Sequence, residues 1–230
     1  MQLSRTTLLI GADGIEKLKK ARVAVFGVGG VGGFVAESLA RSGVGNIDLI
    51  DNDKVSLSNI NRQIIALHST VGRMKTQVMA ERIKDINPEI CVCTHELFYL
   101  PETADKLDFS VYDYIVDAID TVSGKIAIVE NANKKKIPVI SSMGTGNKLD
   151  PTALTITDIT KTTVCPLARV MRRELKKRGI AHLKVVFSTE EPKKPISSEN
   201  TKTPPASVAF VPSVAGLIAA SDAVKTLLSK

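Results

Sequence analysis

Residues 24–33 read Ala-Val-Phe-Gly-Val-Gly-Gly-Val-Gly-Gly, an apolar strand ending that runs into a glycine turn. Gly27, Gly29 and Gly32 fall on the G-x-G-x-x-G positions, with Gly30 inside the same turn. The first glycine permits the turn, the second lets a phosphate reach the backbone, and the third lets the next helix pack on the strand. Residues 22–26 are β-branched enough for a buried strand. Phe34, Val35, Leu39 and Ala40 then recur at helical spacing over 32–42, and Gly43 stops the helix. A second strand, 46–50, closes on Asp51, at the distance expected of a ribose-hydroxyl acceptor. Strand, glycine turn, helix and strand in this order form a βαβ nucleotide-binding unit. Alone, the turn leaves dehydrogenase, methyltransferase and kinase-like readings open.

The alternation continues. A helix is expected over 75–86, strands over 90–95 and 114–118, a helix over 122–134 and a strand over 138–141. The expected class is α/β, a Rossmann-like doubly wound and mostly parallel sheet. Beyond Gly144-Thr-Gly146 the pattern changes. Residues 153–159 alternate like an edge strand, 166–179 form an amphipathic helix and 185–188 a short strand. We therefore divide the chain into a nucleotide-binding domain, 1–146, and a C-terminal extension on the same sheet, 147–230. A short helix is expected over 10–20. Residues 190–207, rich in Pro, Lys, Ser, Thr and Glu, read as a mobile surface loop.

The chain has 230 residues and a formal charge of +7. That excess suits a polyanionic partner. Aromatics are only 4% and Trp is absent, which disfavours stacking platforms for single-stranded nucleic acid. Cys91, Cys93 and Cys165 form no Cys-x-x-Cys pair, so neither a zinc site of that spacing nor a disulfide framework is expected. Cys91 and Cys93 read as inert packing residues on one strand face, and Cys165, at a helix start, as structural or substrate-lining. His68, His95 and His182 are isolated. The first nine residues lack a signal-peptide pattern. Residues 208–220 are apolar but hold Pro212 and are too short to span a bilayer, so a buried strand and helix start is expected there. A cytoplasmic location is the expectation.

The most specific run is Asp51-Asn-Asp-Lys-Val-Ser-Leu-Ser-Asn-Ile-Asn-Arg-Gln63. A basic, amide-rich cluster so soon after Asp51 points to handling of a triphosphate. The run resembles the adenylating domain of ubiquitin-activating-type enzymes. Lys75, after Gly72-Arg-Met, and the Asp117-Ala-Ile-Asp120 strand end fall where that family has its phosphate lysine and metal-associated aspartate. The resemblance implies a ligase-type adenylating enzyme that binds ATP and Mg²⁺, in which a carboxylate attacks the α-phosphorus and displaces pyrophosphate. It implies nucleotide contacts from Gly27, Gly29, Gly30, Gly32, Asp51, Asp53, Asn59, Arg62, Gln63, Lys75 and Asp120. Arg62, Lys75 and Asp120 are the catalytic candidates, and Asp120 is the metal candidate. Arg62 and Lys75 suit a reaction in which charge builds on the leaving group. Asn59 and Gln63 suit phosphate oxygens or the orientation of Arg62. Ser4-Arg-Thr6 is similar to a family segment whose arginine reaches the nucleotide of the neighbouring subunit. Arg5 is thus a cross-subunit candidate in a homodimer.

The run from Asp158 to Gly179, with Gly144-Thr-Gly-Asn-Lys148, resembles the tRNA threonylcarbamoyladenosine dehydratase family. This implies a tRNA substrate whose threonine carboxylate is adenylated and then closed into a ring, a net dehydration. Periodicity puts Arg169, Arg172, Arg173, Lys176 and Lys177 on one helix face, a stripe able to follow a phosphate backbone. The alternative in the same fold is an activator of a ubiquitin-like sulfur-carrier protein. Docking of a sulfur-transfer protein is left open.

Overall fold

The computed structural model describes residues 2–194 and 205–230. Strands β1 (Arg22–Phe26), β2 (Asn46–Ile50), β3 (Cys91–His95), β4 (Tyr114–Asp117), β5 (Val139–Ser142), β6 (Leu154–Asp158) and β7 (Lys184–Ser188) form one sheet in the order β3-β2-β1-β4-β5-β7-β6. Every pairing is parallel except β6 with β7. The chain order reverses direction beside β1, between its neighbours β2 and β4. Ligands of open parallel sheets bind in the crevice at such a point, outside the carboxyl ends of the strands.

β1 is apolar on both faces because both are covered. Val23 and Val25 pack under the helices α2 (Gly32–Ser42), α3 (Lys75–Ile86) and α6 (Phe210–Leu228). Ala24 and Phe26 point to the opposite layer, where α4 (Val122–Lys135) contributes Ala127, Ile128 and Ala132. There Phe26 meets Tyr99 edge-on, with ring centroids 4.8 Å apart. A third cluster joins α4 to α5 (Pro166–Lys177) through Ile126, Val129, Met171 and Leu175. The first core contains Leu154, Val186 and α6 together with β1 and β2, so it runs across the 146/147 boundary.

Three expectations change. The first helix, α1 (Ser4–Lys20), begins six residues earlier than read and breaks at Gly11, where φ is 74°. Residues 208–220 hold no strand; α6 starts at Phe210 and carries Pro212 in its first turn. Proline is tolerated there because that N–H has no helical acceptor. By length and hydropathy α6 would pass as a membrane span, but it packs Val211, Ala215, Ala219, Ala220 and Ala223 into the core. Cys91 is exposed rather than packed, and Cys93 is half-buried beside Arg22, whose Nη2 donates to its sulfur at 3.4 Å. Most of the expected 190–207 loop lies outside the described residues.

Candidate nucleotide and acyl-transfer site

The glycine turn is held from both sides. Gly27 has a φ of 85° and donates its N–H to the Ile50 carbonyl at 2.7 Å. A Cβ on Gly32 would lie 1.7 Å from the Gly27 carbonyl oxygen, so only glycine lets α2 begin this close to β1. Asp51, at the end of β2, accepts from the Val28 N–H at 2.7 Å and from the Asp53 N–H at 2.8 Å. Its carboxylate thus pins the turn to the loop that follows β2. Burial pushes the Asp51 carboxyl up, and the nearby Lys75 cation opposes this. The N–H groups of Gly29 and Gly30 have no protein acceptor among the described residues and lie at the positive end of α2.

These elements line a cavity of about 460 Å³. Gly27, Gly29, Gly30, Asp51, Asp53, Asn59, Arg62, Gln63, Lys75 and Asp120 all face it. Gly32 lies behind the wall as a packing residue. Arg5 is exposed on α1 and does not reach the cavity of its own chain. Sequence reasoning missed Leu97, Phe98 and Tyr99, which add an apolar wall after β3, and also Thr145, Ser207 and Pro212. Thr145 lies in the Gly144–Lys148 stretch singled out above without a role; the others carry no motif, and tertiary contact alone brings them in.

Lys75 begins α3 with its side chain only 7% exposed, and Asp53 takes its ammonium at 2.7 Å. Arg62 is half-buried. Its Nη1 donates to the Ser58 carbonyl at 3.0 Å and to Asn61 Oδ1 at 2.9 Å. Its orientation therefore comes from Asn61 and Ser58, not from Asn59 or Gln63. Asn59 Oδ1 instead accepts from the Ser56 N–H and closes a short turn. Gln63 Oε1 is buried with no partner among the described residues. Such an atom is costly unless a ligand or water donates to it.

Asp120 is exposed at the rim, after β4. Beneath it, Asp117 and Lys125 form an ion pair at 3.1 Å with both side chains fully buried. Ser141 donates its hydroxyl to Asp117, and Lys125 also donates to the Ile119 carbonyl at 2.9 Å, fixing the residue before Asp120. Lys125 was not marked from sequence. No group of three or more His, Cys, Asp or Glu able to hold a metal occurs among the described residues. Mg²⁺ bound to a nucleotide needs only one or two carboxylates plus phosphates and water, which Asp120 at the rim can satisfy.

A match to the ThiF family model spans residues 3–230. The chain belongs to the ThiF family. Among ThiF-family relatives, the tRNA threonylcarbamoyladenosine dehydratase of Bacillus subtilis is 48% identical over 99% of this chain and 94% of its own length. The Escherichia coli enzyme of the same name is 41% identical over 80% of this chain and 72% of its own. The crystal structure of the E. coli dehydratase in complex with ATP superposes with a TM-score of 0.91 at 36% identity, covering 99% of this chain and 94% of that one.

The expected basic stripe needs correction. Arg172 bends back, its Nη1 donating to the carbonyls of Ile159 at 3.2 Å and Thr162 at 2.9 Å and to the Thr162 hydroxyl oxygen. It clamps α5 to the preceding loop through Nη1. Glu174 takes hydrogen bonds from Lys177, Arg178 and Arg173, which hold its carboxyl down at about 2. Arg169 and Lys176 stay exposed with no acid partner among the described residues. A 3.6-residue period shows which face a side chain is on but not which carbonyl it can reach.

Proposed function

We propose that this chain uses ATP to adenylate the free carboxylate of threonylcarbamoyladenosine in tRNA. An atom of the same side chain then closes on the activated carbonyl and expels AMP, a net loss of water. The observation that carries this reading is the convergence of Arg62, Lys75 and Asp120 on one cavity with the glycine turn. Arg62 and Lys75 neutralise the charge that develops as pyrophosphate leaves. Asp120 would hold Mg²⁺, which supplies further charge stabilisation on the phosphates. The attacking carboxylate is ionised near neutral pH, so no general base is needed for adenylation. Ring closure is intramolecular and gains from proximity. Asp51, with lone pairs left after its two backbone contacts, suits the ribose hydroxyls.

The reading extends to partners. Leu8 and Leu9 are 89% and 85% exposed, one turn along α1 from Arg5. A second copy of the chain would cover them and carry Arg5 to its neighbour's phosphates. The tRNA substrate and three free cysteines suit the cytoplasm.

Incubation of threonylcarbamoyl-modified tRNA with the protein and ATP should lower the mass of that nucleoside by one water, seen by mass spectrometry of the digest. Pyrophosphate exchange driven by a small carrier protein, and not by the tRNA, would overturn the assignment. The exposed cations give a second measure. Removing Arg169 and Lys176 together should lower the slope of log affinity against log salt for tRNA by roughly one to two. Removing Arg172 should lower thermal stability instead. An unchanged slope in the double variant would move the tRNA surface off α5.

A further inference from the structure

Asn61 lies inside the phosphate-handling run, yet its side chain does not line the cavity. It bridges two walls. Its Oδ1 accepts from Arg62 Nη1 at 2.9 Å, and its Nδ2 donates to the Ser207 carbonyl at 3.0 Å. The next residue back, Ala206, is zipped to Asn147. The Asn147 N–H donates to the Ala206 carbonyl at 2.7 Å, and the Ala206 N–H donates to Asn147 Oδ1 at 2.8 Å. Asn147 holds a left-handed backbone with φ 61° and also accepts from the Lys193 N–H at 2.7 Å. Thr145, two residues before it, and Ser207 both line the cavity.

Hydrogen bonds, linked through the Ala206–Ser207 backbone, therefore join the Gly144–Lys148 loop to the Arg62 guanidinium. We propose that Asn61 is a positioning residue that sets Arg62 for the departing pyrophosphate by tethering it to the Ser207 strap. This rests on the reading of Arg62 as a phosphate ligand. A primary amide suits the role, since its oxygen receives from the guanidinium while its nitrogen gives to the carbonyl. Arg62 is long and half-exposed, so a geometry fixed in advance saves ordering when ATP arrives. AMP lacks the outer phosphates and has no need of the relay.

The test is calorimetric titration of ATP and of AMP into the wild type, Asn61→Ala, Asn61→Asp, Arg62→Ala and the Asn61→Ala/Arg62→Ala double variant, with melting temperatures alongside. Asn61→Ala is expected to weaken ATP about five- to tenfold and leave AMP unchanged. Asn61→Asp keeps an acceptor for Arg62 but loses the donor to Ser207, and should weaken ATP as well. In the Arg62→Ala background the Asn61 change should add nothing, because residues acting through one another are not additive. Equal losses for ATP and AMP, additive losses in the double variant, or wild-type ATP affinity in Asn61→Asp would each overturn the relay. If Arg62→Ala itself leaves ATP affinity unchanged, the phosphate reading of Arg62 fails first and the relay falls with it. A loss in Arg62→Ala with none in Asn61→Ala removes the relay alone.

Discussion

Lys75→Ala should cut pyrophosphate release by about 10²–10³-fold, the usual cost of deleting one preorganised charge from a developing oxyanion. AMP affinity should change little, since on the proposed reading the lysine acts on the outer phosphates. The side chain is 7% exposed and ends 2.7 Å from Asp53, whose own side chain is 60% exposed. Without its ammonium partner, Asp53 therefore remains hydrated, and the fold should survive with a small loss of melting temperature. Single-turnover kinetics with radiolabelled ATP separates the two effects. A variant that binds AMP normally and releases pyrophosphate at the wild-type rate would remove Lys75 from the chemistry.

The largest loss of stability is expected from Lys125→Met. Lys125 and Asp117 are both fully buried, and the carboxylate would keep only the Ser141 hydroxyl and a 3.3 Å contact from the Ile119 N–H. Stranding one charge of a buried pair costs roughly 3–5 kcal/mol. At about 2–4 °C per kcal/mol for a chain of this size, the midpoint should fall by roughly 6–20 °C. Adding Asp117→Asn removes the stranded charge and should restore most of the loss. Thermal melts of the single and double variants decide. A single variant that melts within a degree or two of wild type would mean that water reaches the pair. The Ile119 carbonyl also loses its donor, so the Asp120 rim should loosen in both variants even where stability returns.

Much of this architecture was legible in the chain. Strands β1 and β2 and helices α2 and α3 begin and end where they were read. They are bounded by strong signals: two-sided burial in Val23–Phe26, Gly43 in a left-handed cap, and Asn87-Pro88 after α3. That the glycine turn and Asp51 share one cavity with Arg62 and Lys75 followed from local order for the first two and, for Lys75, from the family resemblance. Pro212 misled because a proline reads as a breaker, whereas position three of a helix accepts it. Lys125, Asn61 and Arg172 were opaque for a different reason. Each is one polar residue on an ordinary helix or loop, and its role is set by an atom that arrives from elsewhere in the fold. No period or spacing encodes the carbonyls of Ile119, Ser207 or Ile159.

α6 finishes a structure that β1 starts. A Cβ on Gly216 would stand 2.4 Å from the Val31 carbonyl, so the last helix lies directly against the entry to α2, and Pro212 beside Gly30 completes the cavity wall. During synthesis the glycine turn, Arg62 and Lys75 emerge from the ribosome well over a hundred residues before Ser207 and Pro212. On the proposed reading a nascent chain carries Arg62 and Lys75 before the wall that faces them exists, and nucleotide capture becomes a late event in its synthesis.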